Sequence, residues 1–459
     1  MPYVETRGNS IRVKWWGGAY KLDADSKPTK TKIYESASGP EPGIPFEDED
    51  EAYNYGLDRE YEVRHGKHVR KADSKTLMDK YCWLWLEAQD LRPITMKGYR
   101  TRLNARIIPY WGRHAVGDIT TWEFEAWKKS LKSEVERGEL SDLHCNSLLS
   151  LFGMLMNDAV AKYKLRSESP VITQRRRGRY KKKRREKKRP LEMEVLHHLA
   201  SNAHTVWGYT GWAYIWTLAF TGMRPPGEMV ALRREYASPH WPASEPDKEL
   251  REEALDRYAK MPALRVQHQL QYVDAQRTLL EPKYESHRTL VVPPFLHEMH
   301  VALLASHDSP WVFPARGGEA MGSQWTRDYW KPMRDGAPAR TGRSDRLREE
   351  ILPVGPMVGK RPYLLRHGHK EWLDEDRHSR VAVETRMGHE VAGLEGLYGN
   401  LTPGMERAIA ESLQERWESF WSSGPWWAPP FPTVLPSQGS GPGESQLRRG
   451  VEALACACR

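Results

Sequence analysis

Between Arg175 and Arg189 (RRRGRYKKKRREKKR) stand twelve lysines and arginines and one glutamate, a net +11 inside a chain whose whole net charge is +9. The remainder sums to −2, so the basic character is local. A run of this density repels itself and cannot enter a core. It must stay in solvent, and it forces the 459 residues to fold as separate pieces on either side of it. Beside DNA it would displace counterions and bind without reading sequence. The residues assigned to that contact are Arg175, Arg176, Arg177, Arg179, Lys181, Lys182 and Lys183. A solvated linker that touches nothing is the alternative reading.

A chain of this length suggests two to four domains, and 39% apolar residues suffice for folding. No apolar run approaches the roughly 18 residues of a membrane span. The start, MPYVETRGNSIRVK, lacks the apolar centre of a signal peptide, so a cytoplasmic protein with no membrane partner is expected. Four cysteines (Cys82, Cys145, Cys456, Cys458) are too few and too scattered for a disulfide framework, and no CxxC pair offers a zinc site.

The expected fold is multidomain, mainly α with small β. Residues 1–72 open with alternation: Ile11, Val13 and Trp15 on one face, Arg12, Lys14 and Trp16 on the other, with Gly17-Gly18 predicted as a hairpin turn. A strand over Lys32–Ser36 and a helix over Glu47–Asp58 complete a small sheet with one helix. Arg12 and Lys14 on such a sheet could enter a major groove; a structural meander with solvated charges explains them equally well. Residues 73–168 read as a helical bundle. Ser74 is placed as the cap of a helix with the stripe Leu77, Tyr81, Leu84 and Trp85, which Arg92-Pro93 breaks. A second helix covers Thr95–Ile108 and ends at Pro109-Tyr-Trp-Gly112. Thr120-Thr-Trp-Glu123 fits a capping box, and Ser141-Asp142 opens a fourth helix with Leu148, Leu149, Leu151, Phe152, Leu155 and Ala159 at helical spacing. Residues 169–192 form the basic linker, 193–421 a larger mixed domain with a strand-rich piece around Arg265–Pro293, and 422–459 a Pro/Gly/Ser-rich tail expected to lack structure.

Three stretches of the larger domain carry candidate chemistry. In LAFTGMRPPGEMVAL an apolar helix ends at Thr221-Gly222, and Arg224 sits in the following turn near backbone donors, with Glu228 placed to hold it. In PYLLRHGH, Arg366 lies in an apolar context, and a buried guanidinium needs an anion. In EPKYESHRTLVVP, Thr289–Val292 reads as a strand and Lys283 as part of the hairpin before it. Downstream, RMGHEVAGLEGLYGN adds His389 and Tyr398. Each alone is weak, since a lone arginine is usually half of an ion pair. His367, His369 and His378 raise a metal site, but no carboxylate at ligand spacing converges with them.

The order Arg224, Lys283, Arg366, His389, Tyr398 resembles the tyrosine recombinases, the phage-integrase family, through TGMRPPGEMVAL, YLLRHGHKEWL and RMGHEVAGLEGLY. Residues 73–168, with WLEAQDLRPITMKGYRTRLNARIIPYWG, are similar to the family's helical core-binding domain. Residues 1–72, with RGNSIRVKWW and KIYESASG, resemble the arm-binding domains of integrases from bacterial mobile elements. The resemblance implies a mixed α+β catalytic domain, and the following roles. Tyr398 would attack the scissile phosphate and form a 3′-phosphotyrosyl link. Arg224 and Arg366 would grip the non-bridging oxygens. Lys283 would protonate the leaving 5′-oxygen, and His389 would donate a hydrogen bond to the phosphate. With two arginines and a lysine in these roles, neither metal nor other cofactor is required. The implied partners are double-stranded DNA at core and arm sites, further copies of the chain in a tetramer, and an excisionase or DNA-bending protein. One position departs from the family: Tyr363 stands where HxxR has its histidine, three residues before Arg366. A phenol with a pKa of about 10 is no base near pH 7, so the base is left unassigned. His367 should point elsewhere on the helix, and His369 falls on roughly the face of Arg366. Tyr363 is kept as a phosphate-side donor. The departure also leaves room for a sequence-specific DNA-binding protein without activity. A topoisomerase-like relaxase is the nearer rival, against which the arm-like domain argues.

Overall fold

The computed structural model of the chain describes residues 1–8, 10–25, 27–41, 43–172, 191–258, 261–274, 276–341, 347–389 and 401–433. It divides into two compact units, Met1–Arg184 and Arg185–Arg459.

The first unit opens with an antiparallel meander of β1 (Tyr3–Arg7), β2 (Ser10–Leu22) and β3 (Pro28–Ala37). Alternation along β2 buries Val13 and Trp15 with Phe46 and Ala52 beneath helix α1 (Glu49–Arg64), whose N-terminus is capped by the Asp48 side chain. Gly56 lets that helix touch the sheet: a Cβ there would lie 2.8 Å from Val13 Cγ2. Gly17-Gly18 is not the expected turn. β2 runs straight through it as a bulge, with the register slipping between Trp16 and Ala19. Gly18 has φ +82°, and a Cβ on it would sit 3.0 Å from Val63 Cγ1 of α1, so the glycines serve close packing. The chain reverses after Leu22 instead, where Asp23 Oδ1 accepts from the Asp25 and Lys27 amides at 3.0 and 2.8 Å.

Helices α2 (Lys71–Ser74), α3 (Met78–Glu87), α4 (Pro93–Arg102), α5 (Ile108–Trp111), α6 (Thr121–Glu136) and α7 (Asp142–Ala161) follow. Ser74 ends α2 rather than capping α3. Its carbonyl accepts from Gly117, and Thr76 and Met78 pair with Val116 and His114, so the chain is drawn into a bridge before α3 starts. The buried stripe is accordingly Met78, Tyr81, Cys82, Trp85 and Leu86, while Leu77 and Leu84 face solvent. Pro93 starts α4 instead of breaking a helix. Between α4 and α5 the turn Leu103–Ile107 widens to a π-helix, which accommodates the missing N–H of Pro109. The capping box forms, with Thr120 Oγ1 accepting from Glu123 N at 3.2 Å and Glu123 Oε2 from Thr120 N at 2.9 Å. Ser141 caps α7, which buries Leu148, Leu151, Phe152, Leu155 and Ala159.

The second unit is built on α8 (Met193–Trp207) and α9 (Tyr209–Thr221), the latter buried from Gly211 to its end. Around it come α10 (Gly227–Val230), α11 (Lys248–Tyr258), β4 (Ala263–Val266), β5 (Gln269–Val273), β6 (Gln276–Leu280), β7 (Arg288–Val291), α12 (Pro294–Ala305), α13 (Lys331–Asp335), α14 (Tyr363–Glu375), α15 (Arg380–Met387) and α16 (Pro403–Ser422). β4 pairs with β7 and β5 with β6, all antiparallel. The tail expected to lack structure is packed as far as residue 433. Trp426 stacks on Phe420 with centroids 4.6 Å apart, and His197 Nε2 bonds the Trp427 carbonyl at 2.7 Å. Trp426 is only partly buried there, and Trp427 and Phe431 remain exposed.

Two histidines make this unit sensitive to acid. His300 is fully buried against Thr217 Oγ1 at 2.8 Å, and burial pulls its pKa down to about 3; burial likewise holds His369 well below the ordinary value. Both are neutral in the fold, whereas in the unfolded chain they titrate near 6.5. The unfolded state therefore binds more protons below that pH, and the stability they contribute is present above about 6.5 and lost as pH falls. Urea unfolding at pH 7.5 and pH 5 should show a loss of about 1.4 kcal/mol per pH unit for each histidine, removed in part by His300→Gln.

Candidate functional site

Gly222 ends α9 in the left-handed region (φ +64°), and a Cβ there would lie 2.6 Å from His369 Cδ2, so only glycine turns the chain here. That turn delivers Arg224. Its Nη1 donates to Glu228 Oε1 at 2.7 Å and to Ser286 Oγ at 2.8 Å, and its Nη2 to the Gly388 carbonyl at 2.6 Å. Glu228, in α10, is 1% exposed. Its second partner is Arg288 at the start of β7, whose Nη2 meets Oε2 at 2.7 Å and Nη1 meets Oε1 at 3.2 Å. Burial alone would raise the Glu228 carboxyl; Arg288, then Arg224, outweigh it and hold it below the usual carboxylate range. Glu228 thus holds Arg224 in place, as read from the sequence, but it serves two arginines.

Arg366, on the first turns of α14, is 1% exposed and meets no carboxylate among the described residues. Its Nη1 donates to the Gly222 carbonyl and its Nη2 to the Met387 carbonyl, with His389 Nε2 3.1 Å from Nη2. Among the described residues its buried Nε has no hydrogen-bond partner. Burial, with Arg288 and Arg224 nearby, lowers its pKa to about 10, still charged at neutral pH. Consecutive carbonyls, Met387 and Gly388, are therefore taken by the two arginines, at the end of α15. Gly388 has φ +63°, and a Cβ on it would fall 2.9 Å from Arg288 Nη1. His389 Nδ1 lies 2.7 Å from Glu384 Oε2, whose other oxygen takes Lys370 Nζ at 2.5 Å.

Arg224, Arg366 and His389 are thus brought together. Lys283 is placed differently from expectation. It lies in a short turn, Lys283–Glu285, between β6 and β7, which belong to different ladders and form no hairpin with each other. Its backbone joins the site, because Ser286 Oγ bridges the Lys283 carbonyl (2.8 Å) and Arg224; its ammonium sits 4.7 Å from the Tyr284 ring centroid. Tyr284 and Glu285 both have positive φ, +61° and +51°, so this turn is strained. The strand after it is Arg288–Val291, one residue earlier than read. Tyr363 starts α14, half exposed, with the Arg366 guanidinium carbon 5.7 Å from its ring centroid. His369 falls on roughly the face of Arg366, as expected: both are buried in α14 and both meet Gly222. His369 accepts from Arg386 Nε at 3.0 Å, while Arg386 also ties the Val291 and Phe220 carbonyls. His378 is bound elsewhere, to Ser412 Oγ at 2.8 Å. Tyr398, Arg175, Arg176, Arg177, Arg179, Lys181, Lys182 and Lys183 lie outside the described residues. In the first unit Arg12 is exposed on β2, and Lys14 is paired with Glu5 Oε1 at 2.6 Å.

Four members of the site were not singled out from the sequence: Arg288, Ser286, Lys370 and Glu384. A cation opening an otherwise apolar strand (HRTLVV) and a glutamate four residues before a Gly-His pair were the available signals.

No protein-family model and no curated protein matches this chain. Among solved structures it is similar to the Tn1549 transposon integrase in complex with a circular intermediate DNA, at 14% identity and a TM-score of 0.49, over 73% of this chain and 99% of that one. A lambda integrase dimer bound to a COC′ core site is similar at 12% identity and a TM-score of 0.44, over 71% and 100%. XerA recombinase gives 12% identity and a TM-score of 0.26, over 74% and 98%.

Proposed function

We propose that this chain is a site-specific DNA strand transferase of the tyrosine-recombinase type, which cleaves and rejoins DNA through a 3′-phosphotyrosyl intermediate on Tyr398 to integrate a mobile element. The observation that carries the reading is Arg366: a buried, charged guanidinium beside Arg224 and His389 that has, among the described residues, no partner for its Nε and no carboxylate to neutralise it. A site of that kind is short of one anion, and a phosphodiester supplies it. Arg224 and Arg366 hold the non-bridging oxygens and stabilise the charge of the pentacoordinate state. Lys283, one turn from Ser286, protonates the leaving 5′-oxygen when its side chain swings in. One phosphoester replaces another, so no nucleotide is consumed. In this reading residues 1–72 bind arm sites through Arg12 and its sheet, residues 73–168 and residues 193–421 each contact the core site, the basic run of 169–192 contacts DNA phosphates without reading sequence, and four copies act on two duplexes in the cytoplasm.

The test begins with sequences that the protein retains from a randomised duplex pool. These are rebuilt as nicked suicide substrates, on which cleavage releases a short fragment and traps the protein on DNA. Wild type should yield an adduct stable to denaturant and sensitive to protease, and Tyr398→Phe should yield none. Tight binding without any adduct from wild type would leave a DNA-binding protein with no strand-transfer activity, the outcome that Tyr363 makes worth testing.

A further inference from the structure

Tyr363 removes the residue expected to accept the nucleophile's proton, and the geometry around His389 supplies another. The argument rests on the recombinase reading above. A carboxylate can only accept, so the 2.7 Å contact to Glu384 Oε2 places a proton on His389 Nδ1. A guanidinium can only donate, so the 3.1 Å contact from Arg366 Nη2 leaves a bare lone pair on Nε2. The ring is thereby held as the neutral tautomer with Nε2 as acceptor. Glu384 is itself fixed, because Lys370 occupies its second oxygen. Among the described residues the charged groups facing the ring are Glu384 and Lys370 on one side and Arg366 on the other, with Arg224, Arg288 and the Glu228 carboxylate they share behind Gly388. Burial first, and then the positive charge of Arg366 and Lys370, outweigh Glu384 and disfavour an imidazolium there.

This arrangement differs from the role of phosphate donor that the resemblance assigns to His389. Donation from Nε2 would need either the imidazolium or the other tautomer, and the latter would set two acceptors 2.7 Å apart at Glu384. We propose that His389 Nε2 is the general base of strand cleavage in this chain, and that Glu384 is the positioning residue that orients it, a carboxylate–imidazole pair standing in for the histidine absent at position 363. When a phosphate oxygen takes the Arg366 N–H, the Nε2 lone pair is freed beside the reacting phosphorus. The phenol proton moves to Nε2, the phenol oxygen bonds phosphorus, the bond from phosphorus to the 5′-oxygen breaks, and that oxygen takes a proton from Lys283. The imidazolium then returns its proton when the 5′-hydroxyl attacks in the reverse step.

The two roles predict opposite pH limbs. Single-turnover adduct formation on the nicked substrate, followed from pH 5 to 9, should rise with pH through an inflection below about 6.5 and then level off; a donor imidazolium would make it fall over that range. His389→Gln should slow cleavage roughly 10²-fold. Glu384→Gln should slow it at least roughly 10-fold and move the inflection, with Glu384→Asp recovering part of the rate. DNA affinity should change less than about 3-fold in all three, since the phosphate contacts remain. A substrate with sulfur in place of the 5′-oxygen needs no acid, so it should rescue Lys283→Ala but not His389→Gln. A rate that falls with rising pH, rescue of His389→Gln by sulfur, or a Glu384→Gln profile identical to wild type overturns the proposal. Failure of wild type to form any adduct overturns the recombinase reading instead.

Discussion

Lysine in place of Arg366 is expected to lower adduct formation by roughly 10³-fold, the scale of removing a guanidinium from a phosphoryl-transfer site. The reason lies in the number of things this side chain does at once. One planar fork reaches the Gly222 carbonyl, the Met387 carbonyl and the His389 ring, and still has Nε to spare. An ammonium has the charge but not the span, and in so buried a place, with Arg288 and Arg224 close by, a lysine sheds its proton readily. Two carbonyls would also lose donors, at about 1–3 kcal/mol for each left unsatisfied. Urea unfolding separates that loss from the chemical one. If Arg366→Lys folds with wild-type stability and cleaves within 10-fold of wild type, the guanidinium is not the group that holds the phosphate.

Glu228→Gln should be the most damaging of the conservative changes to stability. The carboxylate has no exposed surface and pairs with Arg288 and Arg224 through both oxygens. An amide keeps the shape but leaves two guanidinium groups facing a neutral partner, and breaking a buried pair in this way costs about 3–5 kcal/mol. The folded pKa is held below the unfolded value of about 4.3. The contribution of the pair is therefore complete above that pH and disappears as pH falls through the lower, folded value. The gap between wild type and variant in urea midpoint should be full at pH 7 and should close in strong acid. Because Arg224 is held from this carboxylate, adduct formation should fall as well.

What could be read in advance follows from what each signal depends on. Arg224 was legible because a helix-ending Gly222 and a proline-rich restart define its turn locally. The capping box at Thr120 and the α7 stripe were legible for the same reason, since both are settled within one helix. Gly17-Gly18 misled because a glycine pair suits either a turn or a bulge, and Val63, far along the chain, decides between them. Ser74 misled because its carbonyl is claimed by Gly117. Lys283 was placed in a hairpin because β6 and β7 are adjacent in sequence, whereas pairing joins β7 to β4. Arg288 and Glu384 acquire their meaning only when β7, α10 and α15 meet; the cation opening an apolar strand and the glutamate before a Gly-His pair do not by themselves say so.

Main-chain oxygens of Gly222, Met387 and Gly388 already hold the arginine heads in position. In the proposed reading the anion receptor is consequently assembled before any nucleic acid arrives, and little of the binding free energy is consumed in organising it. Discrimination between a correct and an incorrect site then has to be exercised by whatever steers the backbone into that receptor, not by the receptor itself.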